Sequence, residues 1–307
     1  MNVHTRSWIA DFEFSPQGVY AKKAGTVVPF TRDLVRDFGR FLLFFFYVRF
    51  LSTPMKGAAI AAAFAPDRPR PWYLIWPVLR LAGVRIVSDP RNADLVMHFK
   101  DATEGRTAAP PTRANARVWN FGCASIAKDR VGEAFARAFG YALAIDPEIW
   151  IGPAVEKSQA NAAHDGRIIQ CPAPRRPGRS YQRLIDNGVG IGLVEDLRTT
   201  LVDGKPAVVF VKRRPVESRF ENTNAEVYLA SPESVFSPRE LDQIGVFARE
   251  LGLQWAGLDI LRDRASNQIY IVDANKTDLG PPIGMVLAEK LEAVKMLARA
   301  LRHALLS

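Results

Sequence analysis

Two acidic residues and an asparagine near the C-terminal end of the chain have the types and spacing that best suit chemistry. Asp259 lies within a predicted strand at 255–261, and Asp273 and Asn275 directly follow a second predicted strand at 268–272. A short polar turn joins the strands, so their pairing would bring the three side chains together. Two carboxylates and an amide oxygen suit Mg²⁺. The alternative is a plain hairpin with Asp and Asn as turn residues, although an unpaired carboxylate on an apolar strand is costly.

This pattern resembles the metal site of the ATP-grasp superfamily, in which an acid on one strand is followed downstream by Glu/Asp-x-Asn and a Pro/Gly turn. D-alanine–D-alanine ligase, glutathione synthetase and the ribosomal-protein glutamate ligase are the members nearest in pattern. The resemblance implies that Asp259, Asp273 and Asn275 hold the metal. The expected cofactors are ATP and a pair of Mg²⁺ ions, with Mn²⁺ as an alternative.

A basic hairpin in the middle of the chain extends the resemblance. Residues 195–214 alternate around Asp203-Gly204, a strong hairpin signal. Basic residues lie near both ends of the hairpin and again beyond it, in the order found in the glutamate-ligase branch. Arginine binds phosphate or carboxylate oxygens through paired donors, whereas the alternative for each arginine is a solvated basic face. By the resemblance, the catalytic residues are Arg198, Arg213 and Arg219, the nucleotide contact is Lys212, and the substrate contacts are Asn222 and Asn224.

Upstream segments resemble the nucleotide-binding elements of the same family. The resemblance implies that Gln182 contacts the adenine edge and that Asp186 holds the ribose hydroxyls. Lys157 matches the lysine that ends a strand and binds phosphate, a role suited to a compact ammonium. Lys128, near the start of a helix predicted at 125–139, matches a further nucleotide-binding lysine. For Lys128 the alternative is an exposed helix residue.

Two departures from the family pattern bear on activity. The segment 158–166 replaces a glycine-rich phosphate loop, yet Gly166 is its only glycine, which leaves fewer flexible amides for phosphate. Gly257 stands where many of the ligases have an arginine two residues before the first metal acid. Another arginine would have to stabilise the transition state.

The expected function is therefore an ATP- and Mg²⁺-dependent ligase that joins a carboxylic acid to an amine through an acylphosphate. Its partners would be small-molecule or peptide substrates, and Lys276 is expected to pair with a substrate carboxylate. Two alternatives remain open. One is an inactive or weakly active ATP-binding scaffold at a membrane-associated assembly for envelope polysaccharide. The other is a phosphotransferase on the same fold.

The predicted strands and helices that position these residues indicate an α/β (α+β) protein. At 307 residues the chain is long enough for two domains. A basic N-terminal α/β domain with an aromatic hydrophobic helix is predicted for 1–115, and the ATP-grasp region for 116–307. A C-terminal amphipathic helix at 285–306 is expected to pack its apolar stripe on the core.

Charge and cysteine content narrow the compartment and the partners. The net charge is +9, and residues 1–117 hold 17 Lys/Arg and 9 Asp/Glu, which gives +8 for that part. Cys123 and Cys171 fit a reducing compartment, and no secretory signal is apparent in the first residues. The expected location is cytoplasmic, with the inner face of the membrane as a peripheral site.

The aromatic run from Phe38 to Leu51 leaves three interpretations open. It is too short to span a bilayer, so it forms either a buried core helix or a homodimer interface. Alternatively, it lies in a membrane surface with nearby basic residues facing anionic lipid. Nucleic-acid binding is the third interpretation, but the chain carries no recognised nucleic-acid fold signature. The basic residues of the membrane interpretation are Arg32, Arg36, Arg40, Arg49 and Lys56.

Overall fold

The structure is a computed structural model of the whole chain. It describes residues 11–16, 18–21, 26–160, 165–220 and 225–307. Within those ranges the chain forms four β-sheets and six α-helices. The mixture of helices with parallel and antiparallel sheets confirms the predicted α/β class.

An antiparallel sheet and a long amphipathic helix begin the described chain. The helix, α1 (Arg32–Phe46), starts after Thr31, whose side chain accepts a hydrogen bond from the Leu34 amide. It continues as a π-helical turn, Tyr47–Leu51. The sheet before it consists of β1 (Phe12–Ser15), β2 (Gly18–Ala21) and β3 (Thr26–Val28), in that order.

A four-stranded parallel sheet follows, as the predicted α/β unit requires. Its strands are β4 (Ile60–Pro66), β5 (Val84–Ile86), β6 (Leu95–Phe99) and β7 (Arg117–Trp119), which lie side by side in the order β5-β4-β6-β7. The helix α2 (Ile75–Ala82) lies between β4 and β5 in the chain. β7 belongs to this sheet although it follows residue 115, and the division into two domains stays a prediction.

A small antiparallel sheet carries two of the predicted nucleotide contacts. It follows helix α3 (Lys128–Phe139) in the chain. Lys157 pairs with Ser180, and Gln182 pairs with Val155, on neighbouring strands of this sheet. The strands are β8 (Gly152–Ser158), β9 (Arg167–Cys171) and β10 (Arg179–Arg183), in the order β10-β8-β9.

The largest sheet is antiparallel and contains the predicted hairpin. Asp203 and Gly204 both have positive φ angles, 52° and 73°, as a tight turn requires. The sheet order is β14-β13-β12-β15-β16, with β11 on β12, where the strands are β11 (Gly188–Val189), β12 (Leu193–Val202), β13 (Lys205–Pro215), β14 (Glu226–Ala230), β15 (Trp255–Arg262) and β16 (Ile269–Asn275). The predicted strand end at residue 272 is wrong, because β16 continues through Asp273 to Asn275.

Hydrophobic cores cover both faces of the large sheet. On one face, Val208 and Phe210 belong to a core with α2 and the C-terminal helix, α6 (Leu287–Leu306). On the other face, Val209 and Val211 belong to a core with α3 and with helix α5 (Pro238–Leu251). Successive residues of β13 therefore enter opposite cores, which means that this strand is buried on both sides. The predicted packing of the C-terminal stripe is confirmed. The helix α4 (Pro232–Val235) precedes α5 in the chain.

Most side chains of the aromatic run face away from these cores. Within α1 and the π-helical turn, only Phe44 and Val48 are buried. The buried-core interpretation of the run is therefore wrong for most of its residues, because its helix presents a second apolar face to solvent. None of the helices in the described part of the chain is long and apolar enough to cross a membrane.

Candidate functional site

Three neighbouring strands of the large sheet bring the predicted metal ligands together. Arg198 on β12 lies directly opposite Asp259 on β15, and Asp259 lies directly opposite Asp273 on β16. Asn275 is two residues beyond Asp273, so strand alternation places both side chains on one face. A register shift between Asp259 and Ile260 interrupts the pairing, and such bulges re-aim side chains near active sites.

Asp259 has a cation near each of its carboxylate oxygens, but only one of these oxygens accepts a hydrogen bond from a described residue. Its Oδ2 accepts from Arg198 at 2.8 Å, and Lys212 Nζ lies 3.9 Å from Oδ1. Within the described ranges, the buried Oδ1 has no hydrogen-bond partner. Burial raises the pKa of Asp259, but Arg198 and Lys212 outweigh burial and hold the pKa well below its usual range. The carboxylate is therefore ionised and keeps one oxygen for a further ligand.

Two lysines from outside the large sheet reach Asp273 and its neighbour. Lys128 Nζ lies 2.6 Å from Asp273 Oδ1, and Lys157 Nζ donates to the Val272 carbonyl at 2.9 Å. Lys128 is 4% exposed, so it is not the exposed helix lysine of the alternative interpretation. Burial lowers the pKa of Lys157 to about 8, with Asp273 opposing that shift and Lys128 adding to it.

Asn275 is the predicted ligand that is already occupied by hydrogen bonds. Its Oδ1 accepts from the Thr277 amide at 2.9 Å and from the Thr277 hydroxyl at 3.2 Å. The Thr277 hydroxyl also lies 3.2 Å from Asp101 Oδ1, and its single proton serves one acceptor at a time. When that proton points to Asp101, one lone pair of the Asn275 oxygen is open to a metal.

A buried aspartate that was not predicted completes the cluster. Asp278 accepts from Arg198 at 2.5 Å and from the Thr200 hydroxyl at 3.2 Å, and its side chain is fully buried. Its carboxylate fills the space beside Gly257, where a Cβ would overlap it. The glycine is therefore a requirement of packing here. Its departure from the family's arginine was the one sequence signal that could have pointed to Asp278.

Arg198 is the centre of this arrangement. Burial would lower its pKa, but Asp259 and Asp278 raise the pKa far above the usual value, so the guanidinium stays charged. We refer to this arrangement as the charged cluster. It consists of Lys128, Lys157, Arg198, Lys212, Asp259, Asp273 and Asp278.

The other predicted arginines lie in different places. Arg213 faces away from Asp259, because strand alternation separates it from Lys212, and it pairs with Glu195 at 2.8 Å. The structure therefore does not bring Arg213 to the charged cluster. Its neighbour Arg214, which was not among the predicted residues, is on the cluster's face and pairs with Asp196 at 2.5 Å.

Arg219, which follows β13 in the chain, contacts the segment directly after β10. Its guanidinium donates to Asn187 Oδ1 at 2.8 Å and to the Ile185 carbonyl at 3.2 Å. Burial lowers the pKa of Arg219, and Asp196 and Asp186 oppose that shift. The residue thus fixes the segment that was predicted to hold the nucleoside.

The predicted nucleoside contacts lie on β10, which carries Gln182, and directly after it, at Asp186. Gln182 is 2% exposed, and within the described residues its Nε2 has no hydrogen-bond partner. Asp186 is exposed and accepts from the Gly188 amide at 3.1 Å. One buried unpaired amide and one accessible carboxylate are compatible with an adenine edge and a ribose. Both assignments stay predictions.

The predicted substrate contacts are only partly described. Asn222 and Asn224 lie outside the described residues. Lys276 is 1% exposed, and its Nζ has no hydrogen-bond partner in the part of the chain that the structure describes. Burial lowers the pKa of Lys276, and Cys123 opposes that effect.

The donor set fits a hard divalent cation. No group of three or more His, Cys, Asp and Glu side chains within the described ranges could hold a metal, but the predicted set has two carboxylates and one amide. Mg²⁺ commonly takes one or two carboxylates and completes its shell with water and phosphate oxygens. The Oδ1 atom of Asp259, which accepts no hydrogen bond from the described residues, supports that fit.

Comparison with known proteins identifies the fold. No protein-family model matches the chain, and no curated protein matches its sequence. The chain is similar to the ATP-grasp ligase PsnB solved with a phosphomimetic variant of its minimal precursor, Mg and ADP. That similarity has a TM-score of 0.51 and 14% identity, and covers 82% of this chain and 100% of PsnB. The chain is also similar to PsnB solved with its minimal precursor, with a TM-score of 0.50 and 15% identity. That similarity covers 80% of this chain and 99% of PsnB. The chain therefore has the predicted ATP-grasp fold.

Proposed function

We propose that this protein, which has the ATP-grasp fold, is an ATP- and Mg²⁺-dependent ligase that joins a carboxylate to an amine. The observation that carries the proposal is the charged cluster, in which four cations surround three carboxylates. Such a cluster has more positive than negative charge and suits a polyphosphate brought in with a divalent cation. PsnB, the similar ligase, was solved with Mg and ADP.

The metal would be held by Asp259 and Asp273. Asp259 would offer Oδ1, which accepts no hydrogen bond from the described residues, and Asp273 would become fully available once Lys128 moves from its Oδ1. Asn275 would join as the third ligand once Thr277 turns away. A bound Mg²⁺ supplies neutralisation of the charge that develops on the transferred phosphoryl group.

The cations of the charged cluster would hold the phosphates. Lys157 lies on β8 of the small sheet and Lys128 at the start of α3, whereas Arg198 and Lys212 lie on the large sheet. When the phosphates of ATP bind between these cations, the Lys128 ammonium would leave Asp273 and donate to a phosphate oxygen instead. Charge-assisted hydrogen bonds of this kind are shorter and stronger than neutral ones.

An amine does not displace the oxygen of a free carboxylate, because oxide is a poor leaving group. The carboxylate is therefore first activated by ATP. A carboxylate oxygen of the substrate attacks the γ-phosphorus, ADP departs, and an acylphosphate forms. The amine nitrogen then attacks the acyl carbon, phosphate departs, and the nitrogen gives up a proton. Arg198, which pairs with the metal acid Asp259 at 2.8 Å, would stabilise charge during both steps in place of the arginine that Gly257 excludes.

The substrates would bind beyond Asn275. Lys276 is buried without a hydrogen-bond partner among the described residues, and the Nδ1 atom of the buried His98 has none there either. An uncompensated buried ammonium is costly, so an acidic group of the substrate is a suitable partner for Lys276. Asn222 and Asn224 are proposed as further substrate contacts. Since PsnB was solved with its precursor, a peptide is a candidate beside small acids and amines.

One observation favours a nucleotide-binding scaffold as a second candidate. Asp259 is already paired with Arg198, Asp273 with Lys128, and the Asn275 oxygen with Thr277. Ligand oxygens that already have partners bind metal less readily than open ones, because those partners must first be displaced. A scaffold would bind Mg-ATP weakly and would not turn it over.

An ADP-release assay over pools of acids, each with and without pooled amines, separates these functions. A ligase releases ADP fastest when both substrates are present, a phosphotransferase on the same fold needs no amine, and a scaffold releases none. Asp273→Asn should abolish the release, and Asp242→Asn is the matched control because Asp242 is exposed on α5. Equal release from both variants would remove the proposed metal site.

Binding can be measured separately from turnover. Mg-ATP should raise the melting temperature, since a ligand at a hundred times its Kd stabilises the folded state by about 2.7 kcal/mol. The absence of a shift at saturating Mg-ATP, together with no heat of binding in calorimetry, would contradict the ligase and the scaffold alike.

A further inference from the structure

The helix α1 and its π-helical turn present a row of large apolar side chains to solvent. Their exposed fractions lie between 38% and 62%. We call them the apolar stripe, and they are Val35, Phe38, Leu42, Leu43, Phe46, Phe50 and Leu51. Scattered exposed hydrophobics are ordinary, but a contiguous set marks an interaction surface.

The apolar stripe is distinct from the face that anchors α1 to the protein. The anchoring face carries Phe44 and Val48, which are buried, and Phe45, which stacks on Trp76 with ring centroids 5.3 Å apart. Phe38, Leu42 and Phe46 recur every four residues along another side of the helix. The sequence therefore supplies apolar residues beyond those that hold the helix in place.

Basic side chains border the stripe. Arg32, Arg36 and Arg40 recur every four residues along one edge, and Arg49 lies over the Phe50 ring at 5.2 Å from its centroid. Asp33 and Asp37 pair with Arg36, and Asp37 also lies 3.6 Å from Arg40. Residues 30–56 hold five Arg/Lys and two Asp/Glu, so this segment carries a net charge of +3.

We propose that the apolar stripe docks on the surface of an anionic lipid bilayer, with α1 lying in the plane of the interface. An apolar face bordered by arginines matches the acyl and headgroup layers of such a surface. A second copy of this chain fits less well, because an isologous contact brings the same positive segment of both copies together. No helix in the described ranges is able to cross the membrane, so the contact is peripheral.

Flotation of the full-length protein with vesicles tests the proposal. Phosphatidylcholine vesicles containing phosphatidylglycerol should carry the protein upward at low salt, and pure phosphatidylcholine should carry much less. Salt at about 1 M should release it, because the Debye length falls to about 3 Å. Absence of flotation with the anionic vesicles at low salt would overturn the proposal.

Two variants separate the apolar and the basic contributions. Leu43→Ser with Phe46→Ser should lower the partition coefficient at least about tenfold on anionic vesicles. Arg32→Gln with Arg49→Gln should lower it about tenfold at low salt and little at high salt. These side chains are exposed, so circular dichroism and the melting temperature should match the wild type.

A matched control lies far from α1 in the chain. Ile149 and Ile151 are 77% and 85% exposed, and Ile149→Ser with Ile151→Ser should leave vesicle binding unchanged. An equal loss from this control would mean that binding is unspecific and would overturn the proposal. Sedimentation that reports a dimer, which Leu43→Ser with Phe46→Ser converts to a monomer, would assign the stripe to a second copy instead.

Discussion

The charged cluster on the large sheet and the apolar stripe on α1 each place side chains in an unusual environment, but their surroundings differ. In the cluster, buried charges face opposite charges, such as Arg198 with Asp278 at 2.5 Å. In the stripe, Phe46 and Phe50 contact each other at 5.0 Å between ring centroids, yet both are more than half exposed. Internal pairing prepares a site for a ligand that displaces one partner. An exposed apolar face is completed by something outside the chain.

The largest effect is expected at Asp273, in the charged cluster. Asp273→Asn keeps the shape of the side chain but removes the charge that pairs with Lys128 at 2.6 Å. We expect turnover to fall by about three orders of magnitude, equivalent to about 4 kcal/mol of transition-state stabilisation. The rate of ADP release measures the loss, and Asp242→Asn should retain the wild-type rate. Activity in Asp273→Asn close to that of Asp242→Asn would exclude Asp273 as a metal ligand.

The second test asks how tightly the charged cluster is packed. Gly257→Ala would put a methyl group into the Asp278 carboxylate, which cannot move into solvent because its side chain is fully buried. We expect unfolding free energy to fall by about 3 kcal/mol, from overpacking and from weakening a buried ion pair. Urea denaturation measures it. A variant as stable as the wild type would mean that Asp278 is free to shift and that Gly257 serves no packing purpose.

The sequence predicted the strands of the charged cluster better than their contents. Alternating apolar residues around Asp203 and the acids at 259 and 273 were enough for the hairpins and the ATP-grasp resemblance, because strand period and turn chemistry are local. Asp278 was missed because its role depends on the absence of a side chain at Gly257, which lies on β15, whereas Asp278 follows the end of β16. Arg213 was wrongly assigned to the same site as Lys212, because adjacent residues of a strand face opposite sides of the sheet.

For α1, the sequence predicted the helix but not which of its faces would be buried. Periodicity predicted an apolar helix, but several apolar residues lie on more than one side of it, so sequence alone could not choose the anchoring face. Tertiary contacts make that choice, through Phe45 against Trp76 and the burial of Val48. The side left over became the apolar stripe.

Lys290 is a buried charged residue that lies outside the charged cluster and has no carboxylate as its hydrogen-bond acceptor among the described residues. Lys290 on α6 is 4% exposed, and its Nζ donates to the Ile283 carbonyl at 2.8 Å. Burial lowers the pKa of Lys290 to about 8, with Arg40 adding to the shift and Asp37 opposing it. The unfolded chain therefore binds the extra proton between about pH 8 and 10.5, and the stability contributed by this group rises with pH across that window.

Lys290→Met should consequently stabilise the protein at neutral pH by about 1–3 kcal/mol, and the difference from wild type should shrink as the pH approaches 10. Urea denaturation at several pH values measures it. Lys295→Met is the control, because Lys295 is 50% exposed on the same helix, and it should leave the pH dependence unchanged. A constant difference between Lys290→Met and wild type would mean that Lys290 titrates normally in the folded state.

The smallest expected effect comes from a glycine within α1. Gly39 has no atom within 4 Å of the position of an added Cβ, in contrast to Gly257. Gly39→Ala should stabilise the protein by about 0.5–1 kcal/mol, because alanine loses less backbone entropy in a helix interior. Urea denaturation measures the gain, and vesicle binding should persist because the methyl group is apolar. A loss of stability would mean that a neighbour fills the space beside Gly39, and the apolar stripe would then be covered in solution.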